Sequence, residues 1–380
     1  MFCSEQINNY YYFYVYQEYP SNLETLSLGD NNITKVVSSG GPTTLSTLYL
    51  SNITAYGSSF QTLLQSLGAL PNLTTLGLGY NDLRGRILGD DLRNLSSLEE
   101  LDLDCCSLDE NSLQSLGALP SLKNLSLQGL SGAVPFQGII NLKNLELLDL
   151  SDNTLNSNNI FQTIGTMTSL KTLRLWGCSL NGQLPTGLCD LNHLRELDID
   201  SNNLSGFLPR CLANLTSLQQ LDLSSNHLKI PMSLSPLYNL SKLEYFDGQD
   251  NEIYAEEDDH NLSPKFQLES LYLRSRGQVV GAFPKFLYHQ FNLHYLDLTN
   301  IQIKGEFPSW LIENNTNLES LYLENCSLSG PFLLPRSSHV NLSSLSISMN
   351  YFHGQIPAKI EAYLPGLQVL LMSDNGFDGS

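Results

Sequence analysis

The sequence is poor in charged residues and contains no long apolar run. Charged residues make up 15% of its 380 residues, and 38 Asp and Glu against 19 Lys and Arg give a formal net charge of -19. So acidic a chain is repelled by phosphate backbones and anionic lipid, which disfavours nucleic-acid and peripheral membrane binding. No stretch approaches the ~20 apolar residues of a membrane helix, so no bilayer-spanning segment is predicted.

Signatures of enzymes and metal sites are also missing. The sequence has no HExxH, CxxC or GxSxG motif and no glycine-rich phosphate loop. Its seven histidines are scattered, whereas a metal site or a catalytic triad needs such residues to converge. We therefore expect no catalytic residues, no metal and no cofactor.

Residues 1–22 form an atypical N-terminal segment. It is rich in aromatics but interrupted by Glu5, Asn8, Asn9 and Glu18. The basic start, apolar centre and small-residue cleavage site of a signal peptide are not found in it. No signal peptide is therefore predicted from this segment.

From residue 23 onward a pattern of leucines repeats. The pattern LxxLxLxxN has fifteen copies, most of them 24 or 25 residues apart, which fits the roughly 20–29 residues of leucine-rich repeats. In one copy Leu221 and Leu223 alternate with Asp222, so one side of a short strand is apolar. One coil cannot fold alone, and stacking of coils predicts an α/β repeat solenoid over residues 23–380. We expect a leucine-rich-repeat superhelix with a concave parallel β-sheet and an irregular or short-strand convex side.

The ninth position of the repeat is often asparagine, and in three copies it is cysteine. An amide there can donate to and accept from neighbouring turns, which satisfies backbone groups at the bend. The three cysteines are expected to be buried single thiols. They are Cys106, Cys178 and Cys326.

One disulfide is suggested by the spacing. Cys189 and Cys211 both follow a proline, Pro185 or Pro209, on the convex segments of adjacent coils. Their offsets from those prolines differ by two residues, so closure within ~6 Å between Cα atoms is feasible but not required. The odd total of seven cysteines leaves at least one unpaired.

The solvent-facing strand positions form the candidate ligand surface. Exposed Tyr, Trp and Arg are residue types that anchor interfaces, and we expect the rings to face solvent and to add nothing to folding. A long sheet is too shallow for a small-molecule pocket, so an extended peptide, protein or glycan is the expected ligand. The candidate residues are Arg174, Trp176, Asp198, Asp200, Asp222, Asp247, Tyr245, Tyr272, Arg274, Tyr295, Asp297, Tyr322 and Glu324.

Two interpretations of Asp198, Asp222 and Asp247 remain open. In register, these carboxylates repel by roughly 0.8 kcal/mol per pair even in water. They are either a repeat consensus kept by hydration or a site for a basic ligand group. Arg174, by contrast, is expected to take part in a cross-strand charge ladder with Asp149 and Asp198.

Twelve N-x-S/T sequons exceed the roughly six or seven expected by chance and support a secretory history. The alternative is that N-L-[ST] belongs to the repeat consensus. The predicted glycosylation sites are Asn32, Asn52, Asn72, Asn94, Asn124, Asn203, Asn214, Asn239, Asn261, Asn314, Asn325 and Asn341.

Several copies continue as LxGxxP, at 180–185, 204–209, 303–308 and 352–357. This extension resembles the plant-specific class of leucine-rich repeats, in which it forms a second short strand on one flank. Three further runs resemble plant receptor-like proteins, at 187–216, 264–268 and 310–316. The resemblance covers nearly the whole chain after residue 22.

The resemblance implies a ligand-binding ectodomain on the extracellular side of the plasma membrane. Such proteins are tethered by one membrane helix, carry no kinase of their own and signal through a co-receptor kinase, in defence or development. The family's signal peptide, membrane helix and terminal caps are not found in this sequence. We therefore interpret the chain as a fragment or a truncated product with no C-terminal cap.

Two other classes of protein are alternatives to a receptor. A secreted inhibitor of cell-wall-degrading enzymes has the same repeat class but typically fewer copies, so fifteen copies favour the receptor. An intracellular immune sensor would lack both LxGxxP and the sequons.

Overall fold

The chain forms two compact units, Met1–Ser179 and Leu180–Ser380. The computed structural model describes residues 2–7, 10–15, 22–38, 44–53, 58–114, 116–134, 136–139, 141–155, 160–161, 164–256, 263–275 and 279–378. Over these residues, both units consist of short strands joined by helical or irregular return segments.

The first unit contains ten described strands and several short helices. The strands are β1 (Phe2–Ile7), β2 (Tyr10–Val15), β3 (Thr25–Ser27), β4 (Lys35–Ser38), β5 (Thr47–Tyr49), β6 (Thr75–Gly77), β7 (Glu100–Asp102), β8 (Asn124–Ser126), β9 (Leu147–Asp149) and β10 (Thr172–Arg174). The described helices are α1 (Ser58–Ser66), α2 (Leu88–Asp91) and α3 (Phe136–Ile139), with 3-10 helices at Leu67–Ala69 and Leu116–Ala118.

The second unit continues the same alternation. Its described strands are β11 (Asn181–Gln183), β12 (Glu196–Asp198), β13 (Asn203–Phe207), β14 (Gln220–Asp222), β15 (His227–Pro231), β16 (Tyr245–Asp247), β17 (Glu252–Tyr254), β18 (Ser270–Tyr272), β19 (Val279–Gly281), β20 (Tyr295–Asp297), β21 (Ile301–Ile303), β22 (Ser320–Tyr322), β23 (Ser329–Gly330), β24 (Ser344–Ser346), β25 (Tyr351–Gly354), β26 (Val369–Leu371) and β27 (Gly376–Phe377). Its described helices are α4 (Ser309–Asn314) and α5 (Ile360–Tyr363), with 3-10 helices at Thr186–Asp190, Arg210–Asn214, Ser235–Leu237 and Lys285–His289. None of the helices in the described ranges is long and apolar enough to cross a membrane.

Each leucine motif contributes one strand to a parallel sheet. In the first unit the strands pair in the order β3-β5-β6-β7-β8-β9-β10. In the second unit the order is β12-β14-β16-β18-β20-β22-β24-β26. The register aligns equivalent repeat positions, so that Leu197 pairs with Leu221 and Leu221 with Phe246. The predicted repeat solenoid with a parallel sheet is confirmed.

The leucines of the motif form the core. In the copy around β14, Leu218, Leu221, Leu223 and Leu228 are all 0% exposed. Burial of such a side chain typically stabilises a fold by about 1.5–3 kcal/mol. Because Asp222 alternates with these leucines along the strand, it lies on the opposite side of the sheet.

The LxGxxP extension forms the predicted second strand in three of its four copies, at β11, β13 and β25, whereas in the copy at 303–308 strand β21 ends at Ile303. In the second unit, strands β11-β13-β15-β17 make one parallel sheet, β19-β21 a second and β23-β25-β27 a third. Gly182, Gly206 and Gly354 have φ of 82°, 84° and 83°. That left-handed region is costly for residues with a Cβ, which explains the glycine of the motif.

Residues before the first repeat also contain strands. Strand β1 pairs antiparallel with β2, and β2 pairs parallel with β4. The segment 1–22, for which the sequence predicted only an atypical start, therefore adds two strands to the first unit.

A buried asparagine ladder joins successive coils. Asn226 is 1% exposed; its Oδ1 accepts the backbone N–H of Leu204, and its Nδ2 donates to the carbonyls of Ile199 and Leu223. These bonds connect coils and satisfy polar groups that water cannot reach. The preceding residue, Ser225, has φ of 51°, which turns the chain out of the strand.

Three copies have a cysteine at the repeat position of these asparagines, and each cysteine thiol makes only some of the hydrogen bonds that the asparagine amide makes. The thiols of Cys106, Cys178 and Cys326 donate to the carbonyls of Leu78, Leu150 and Leu298, at 3.2, 3.1 and 3.2 Å. All three are buried thiols that form no disulfide, as expected. Burial raises the pKa of the Cys106 and Cys178 thiols to about 12, so both stay protonated.

Cys189 and Cys211 form a disulfide between adjacent coils. Their Cα atoms lie 5.7 Å apart, a separation that a disulfide can span. Both lie in 3-10 helices of the return segments, at Thr186–Asp190 and Arg210–Asn214. The bridge fixes these two neighbouring helices to each other.

Candidate ligand-binding face

The side of the main sheet opposite the core leucines is called the strand face here. The first and third residues of each three-residue strand point to it, because successive side chains alternate sides. Eleven of the thirteen predicted ligand-binding residues lie on or just after strands of the second unit. Arg174 and Trp176, the other two, belong to the first unit.

Four tyrosines form a continuous row on the strand face of the second unit, which we call the tyrosine ladder. Ring centroids are 5.7 Å apart from Tyr245 to Tyr272, 4.4 Å from Tyr272 to Tyr295 and 5.5 Å from Tyr295 to Tyr322. The middle pair is stacked, with 26° between the ring planes. All four residues are half-buried. The expectation that these rings add nothing to folding is thereby corrected, because each such pair typically contributes about 0.5–1.5 kcal/mol.

The ladder arises from an alternation between successive strands. Strands β16 and β20 read Tyr-x-Asp, whereas β18 and β22 read Ser-x-Tyr. The parallel register places Asp247 opposite Tyr272, and Tyr272 opposite Asp297. The tyrosines therefore alternate between the first and third strand positions, which brings their rings into contact, and Tyr272 lies between Asp247 and Asp297 in register.

The aspartates in register have a structural role. The Oδ1 atoms of Asp198, Asp222 and Asp247 each accept the backbone N–H two residues onward, at 3.0, 2.9 and 2.9 Å. Asp297 makes the same bond at 2.8 Å. This bond secures the turn that follows each strand, so hydration is not the only reason to keep these aspartates.

Two carboxyl groups near the ladder, those of Asp222 and Asp247, have raised pKa values. Burial, with the nearby Asp222 carboxylate, raises the pKa of Asp247 to about 7. Burial also raises the pKa of Asp222, with a smaller contribution from Asp200. Asp247 receives its other hydrogen bonds from neutral donors, the Gln249 amide at 3.2 Å and the Tyr245 hydroxyl at 3.4 Å. A cation beside Asp247 would therefore stabilise its charged form.

One arginine lies close to the ladder. Arg274 donates to Oδ2 of Asp297 at 3.3 Å, and 47% of its side chain is exposed. Its charge lies by Asp297, whereas Asp222 and Asp247 lie two and one strands earlier in the sheet. Glu324, further along, accepts a hydrogen bond from the Ser346 hydroxyl.

The first unit places its two predicted residues near β10. Arg174 lies 3.9 Å from Asp149 of the adjacent strand, which confirms that part of the predicted charge ladder. Trp176 follows strand β10 and is half-buried. Like Arg174, it occupies a position that alternates along the chain with the buried Leu173 and Leu175.

Sequence reasoning missed the groups that hold the acidic side chains. The Ser224 hydroxyl lies 2.6 Å from Oδ1 of Asp222 and 2.8 Å from Oδ1 of Asp200, so it bridges two coils. Gln249 donates to Asp247 through both its backbone and its side chain. The signal was the polar residue two positions after each aspartate, which is Asp200, Ser224, Gln249 or Thr299.

Most predicted glycosylation sites are accessible. Exposed sequon asparagines are Asn32, Asn52, Asn72, Asn94, Asn203, Asn214, Asn239 and Asn341. Half-buried ones are Asn124, Asn314 and Asn325, whereas Asn261 lies outside the described residues. Asn124 lies on strand β8, which places that sequon on the strand face.

The described part of the chain holds no group of His, Cys, Asp and Glu side chains suited to a metal ion. The arrangement on the strand face is one of aromatic rings and carboxyl groups, which suits recognition of a chain that lies across the strands.

A family model for the leucine-rich repeat region matches residues 131–378. Cuscuta receptor 1 of Solanum lycopersicum is 32% identical over 269 residues, which are 70% of this chain and 22% of that protein. Receptor-like protein 13 of Arabidopsis thaliana is 47% identical over 214 residues, 56% of this chain and 20% of that protein. The chain thus spans about a fifth of the length of these two relatives.

A solved structure has the same fold. The plant peptide hormone receptor RGFR1 in complex with RGF2 superposes with a TM-score of 0.56 at 22% identity, over 98% of this chain and 68% of that chain. At this level of identity the likeness concerns the fold.

Proposed function

The chain belongs to the leucine-rich-repeat family and resembles plant receptor-like proteins, and on that premise we propose that it is part of an extracellular ligand-binding region. The site would lie on the strand face of the second unit, at the tyrosine ladder. Signalling would pass through a partner kinase at the plasma membrane, as the resemblance implies, in defence or development. The chain would have no enzymatic activity of its own.

The ligand that fits this face best is an extended peptide with a basic side chain. The observation that carries the proposal is the row of four half-buried rings with Asp222 and Asp247 beside it. The face of a tyrosine ring attracts a guanidinium or ammonium group through its quadrupole. The same cation would neutralise a carboxyl pair whose ionisation is opposed by burial.

Shape supports a peptide in preference to a compact molecule. The ladder crosses four adjacent strands, β16, β18, β20 and β22, and neighbouring strands are about 4.8 Å apart. A row of that length matches an extended peptide of about five residues, at ~3.3 Å per residue. The peptide hormone in the RGFR1 complex is a ligand of that receptor, and it makes a peptide the first class to test here.

Peptide selection on a random array tests the proposal. The chain, secreted from plant cells with an added signal peptide, is incubated with an array of random decapeptides, alongside Tyr295→Ala and the control Tyr49→Ala. We expect bound peptides to be enriched in Arg and Lys, and we expect Tyr295→Ala but not Tyr49→Ala to remove the enrichment. Tyr49 is a suitable control because it lies on the strand face of the first unit, over Gly77. Binders without basic enrichment, or binders insensitive to Tyr295→Ala, would refute the proposal.

A further inference from the structure

A second aromatic cluster lies on the return segments, away from the strand face. The rings of Tyr288 and Trp310 are stacked, with centroids 4.0 Å apart and planes at 19°, and Phe283 meets Trp310 edge-on at 6.0 Å. Tyr288 belongs to the 3-10 helix Lys285–His289 and Trp310 to α4 of the next coil. Tyr288 nevertheless remains 47% exposed. An ordered aromatic stack in contact with solvent is a ready platform for an apolar face of another group.

A sequon ends the helix that carries Trp310. Asn314 is the last residue of α4, four positions after Trp310, so both lie on one helix face. The other side of the helix is in the core, where Leu311 and Ile312 are 0% exposed. Helical side chains lean toward the helix N-terminus, so a group attached to Asn314 is directed back over Trp310.

The three residues of this sequon have distinct environments. Asn315 is fully buried; its Oδ1 accepts the N–H of Leu293 and its Nδ2 donates to the carbonyl of Leu311. Asn314 is half-buried and Thr316 is exposed. The structural hydrogen bonds of the motif are therefore made by Asn315, and Asn314 keeps part of its surface accessible to solvent.

We propose that Asn314 carries an N-linked glycan whose first N-acetylglucosamine packs on the Tyr288–Trp310 stack. This inference rests on the proposed extracellular location, since the sugar donor is a lipid-linked pyrophosphate oligosaccharide of the secretory pathway. Nδ2 of Asn314 bonds to the anomeric carbon as the bond from that carbon to the pyrophosphate breaks. The pyrophosphate leaves with the bonding electron pair, and the amide releases one proton.

The packing links the glycan to the stability of two coils. The C–H face of the sugar covers aromatic surface that water otherwise contacts, and the rings belong to neighbouring coils. Tyr288 and Trp310 would thus be held together by the glycan as well as by their own stacking.

The chain offers a matched control in Asn214. It is the last residue of the 3-10 helix Arg210–Asn214 and is exposed, but the residue four positions earlier is Arg210, not an aromatic. Thr216→Ala removes that sequon, as Thr316→Ala removes the one at Asn314. Thr316→Ser keeps the sequon and controls for the change at position 316.

The experiment combines glycopeptide mass spectrometry with thermal unfolding of the chain secreted from plant cells. We expect glycan on Asn314, a melting temperature lower by about 2 °C in Thr316→Ala, and no shift in Thr216→Ala or Thr316→Ser. In a Tyr288→Ala background, the Thr316→Ala shift should vanish, because the platform is then removed. Tyr288 is the residue to change because its exposure lets the variant fold.

Each other outcome has a defined meaning. If no sequon carries glycan, the extracellular location itself fails. If Asn214 is glycosylated and Asn314 is not, the location stands and this inference fails. If Asn314 is glycosylated but the shift is missing, or persists with Tyr288→Ala, the glycan does not pack on the stack and the inference is overturned.

Discussion

Replacing Asp247 by asparagine should change how stability depends on pH. The pKa of this carboxyl is raised to about 7 in the folded protein, mainly by burial and then by Asp222, whereas an aspartate in an unfolded chain has a pKa near ~3.9. Between those values the folded protein keeps a proton that the unfolded chain releases. Stability contributed by this group is therefore fully present below about pH 4 and is lost as the pH rises toward 7.

The size of the effect follows from the two pKa values. For a carboxyl shifted from ~3.9 to about 7, the free energy of unfolding falls by roughly 2 kcal/mol between pH 5 and pH 7. Asparagine does not titrate, so Asp247→Asn should remove this part of the slope. In the wild type, Oδ1 of Asp247 accepts the N–H of Gln249 at 2.9 Å. The asparagine oxygen can keep this bond, and the asparagine amide can donate toward the Tyr245 hydroxyl.

Urea unfolding at pH 5, 6 and 7 measures the slope for both proteins. Relative to wild type, Asp247→Asn should gain stability steadily as the pH rises. Asp82→Asn is the control, because its pKa is lowered to about 2 by Arg84 and it does not titrate in this range. Parallel pH profiles of wild type and Asp247→Asn would refute the assignment of a raised pKa to Asp247.

Three further variants test the energetics of the fold and the ladder. Asn226→Ala leaves a buried N–H and several carbonyls unpaired, so the free energy of unfolding in urea should fall by at least ~3 kcal/mol. A decrease below ~1 kcal/mol would contradict the role of the asparagine ladder. Tyr272→Ala removes two ring contacts and should cost about 1–3 kcal/mol, more than Tyr49→Ala in the same assay, and equal losses would contradict stacking. Reduction of Cys189–Cys211, which closes a separation of 22 residues, should cost about 3 kcal/mol, and an unchanged melting temperature on reduction would contradict that bridge.

The repeat made most of the fold predictable from the sequence. Leu221 and Leu223 alternate with Asp222, and that alternation fixes which side of the strand is buried. Because the pattern occurs in fifteen copies, the coils can bury their leucines by stacking, so that each coil covers the leucines of the next. The second strand was expected only from the resemblance of LxGxxP to the plant-specific repeat class, and the positive φ of Gly182 now explains the glycine in that motif.

The sequence predicts which residues lie on the candidate face but not which of them touch each other. Tyr272 and Tyr295 were assigned to the correct side, yet their contact depends on the alternation between the first and third strand positions and on the register of β18 with β20. The pKa of Asp247 depends on burial by neighbouring strands, which periodicity does not report. The disulfide between Cys189 and Cys211 could not be predicted with certainty, because the two cysteines differ in their offset from the preceding proline. Their distance depends on the turns of the two 3-10 helices that hold them.

The most direct test of the central claim is the affinity of one array-selected arginine peptide and of its citrulline counterpart, measured calorimetrically against wild type and Asp247→Asn. Citrulline keeps the shape of arginine without its charge. If the tyrosine ladder and Asp247 bind a basic side chain, citrulline should weaken binding to wild type at least about tenfold, or ~1.4 kcal/mol, and should have much less effect on Asp247→Asn. An equal loss of affinity with both proteins would show that the positive charge is bound at another site and would contradict the account.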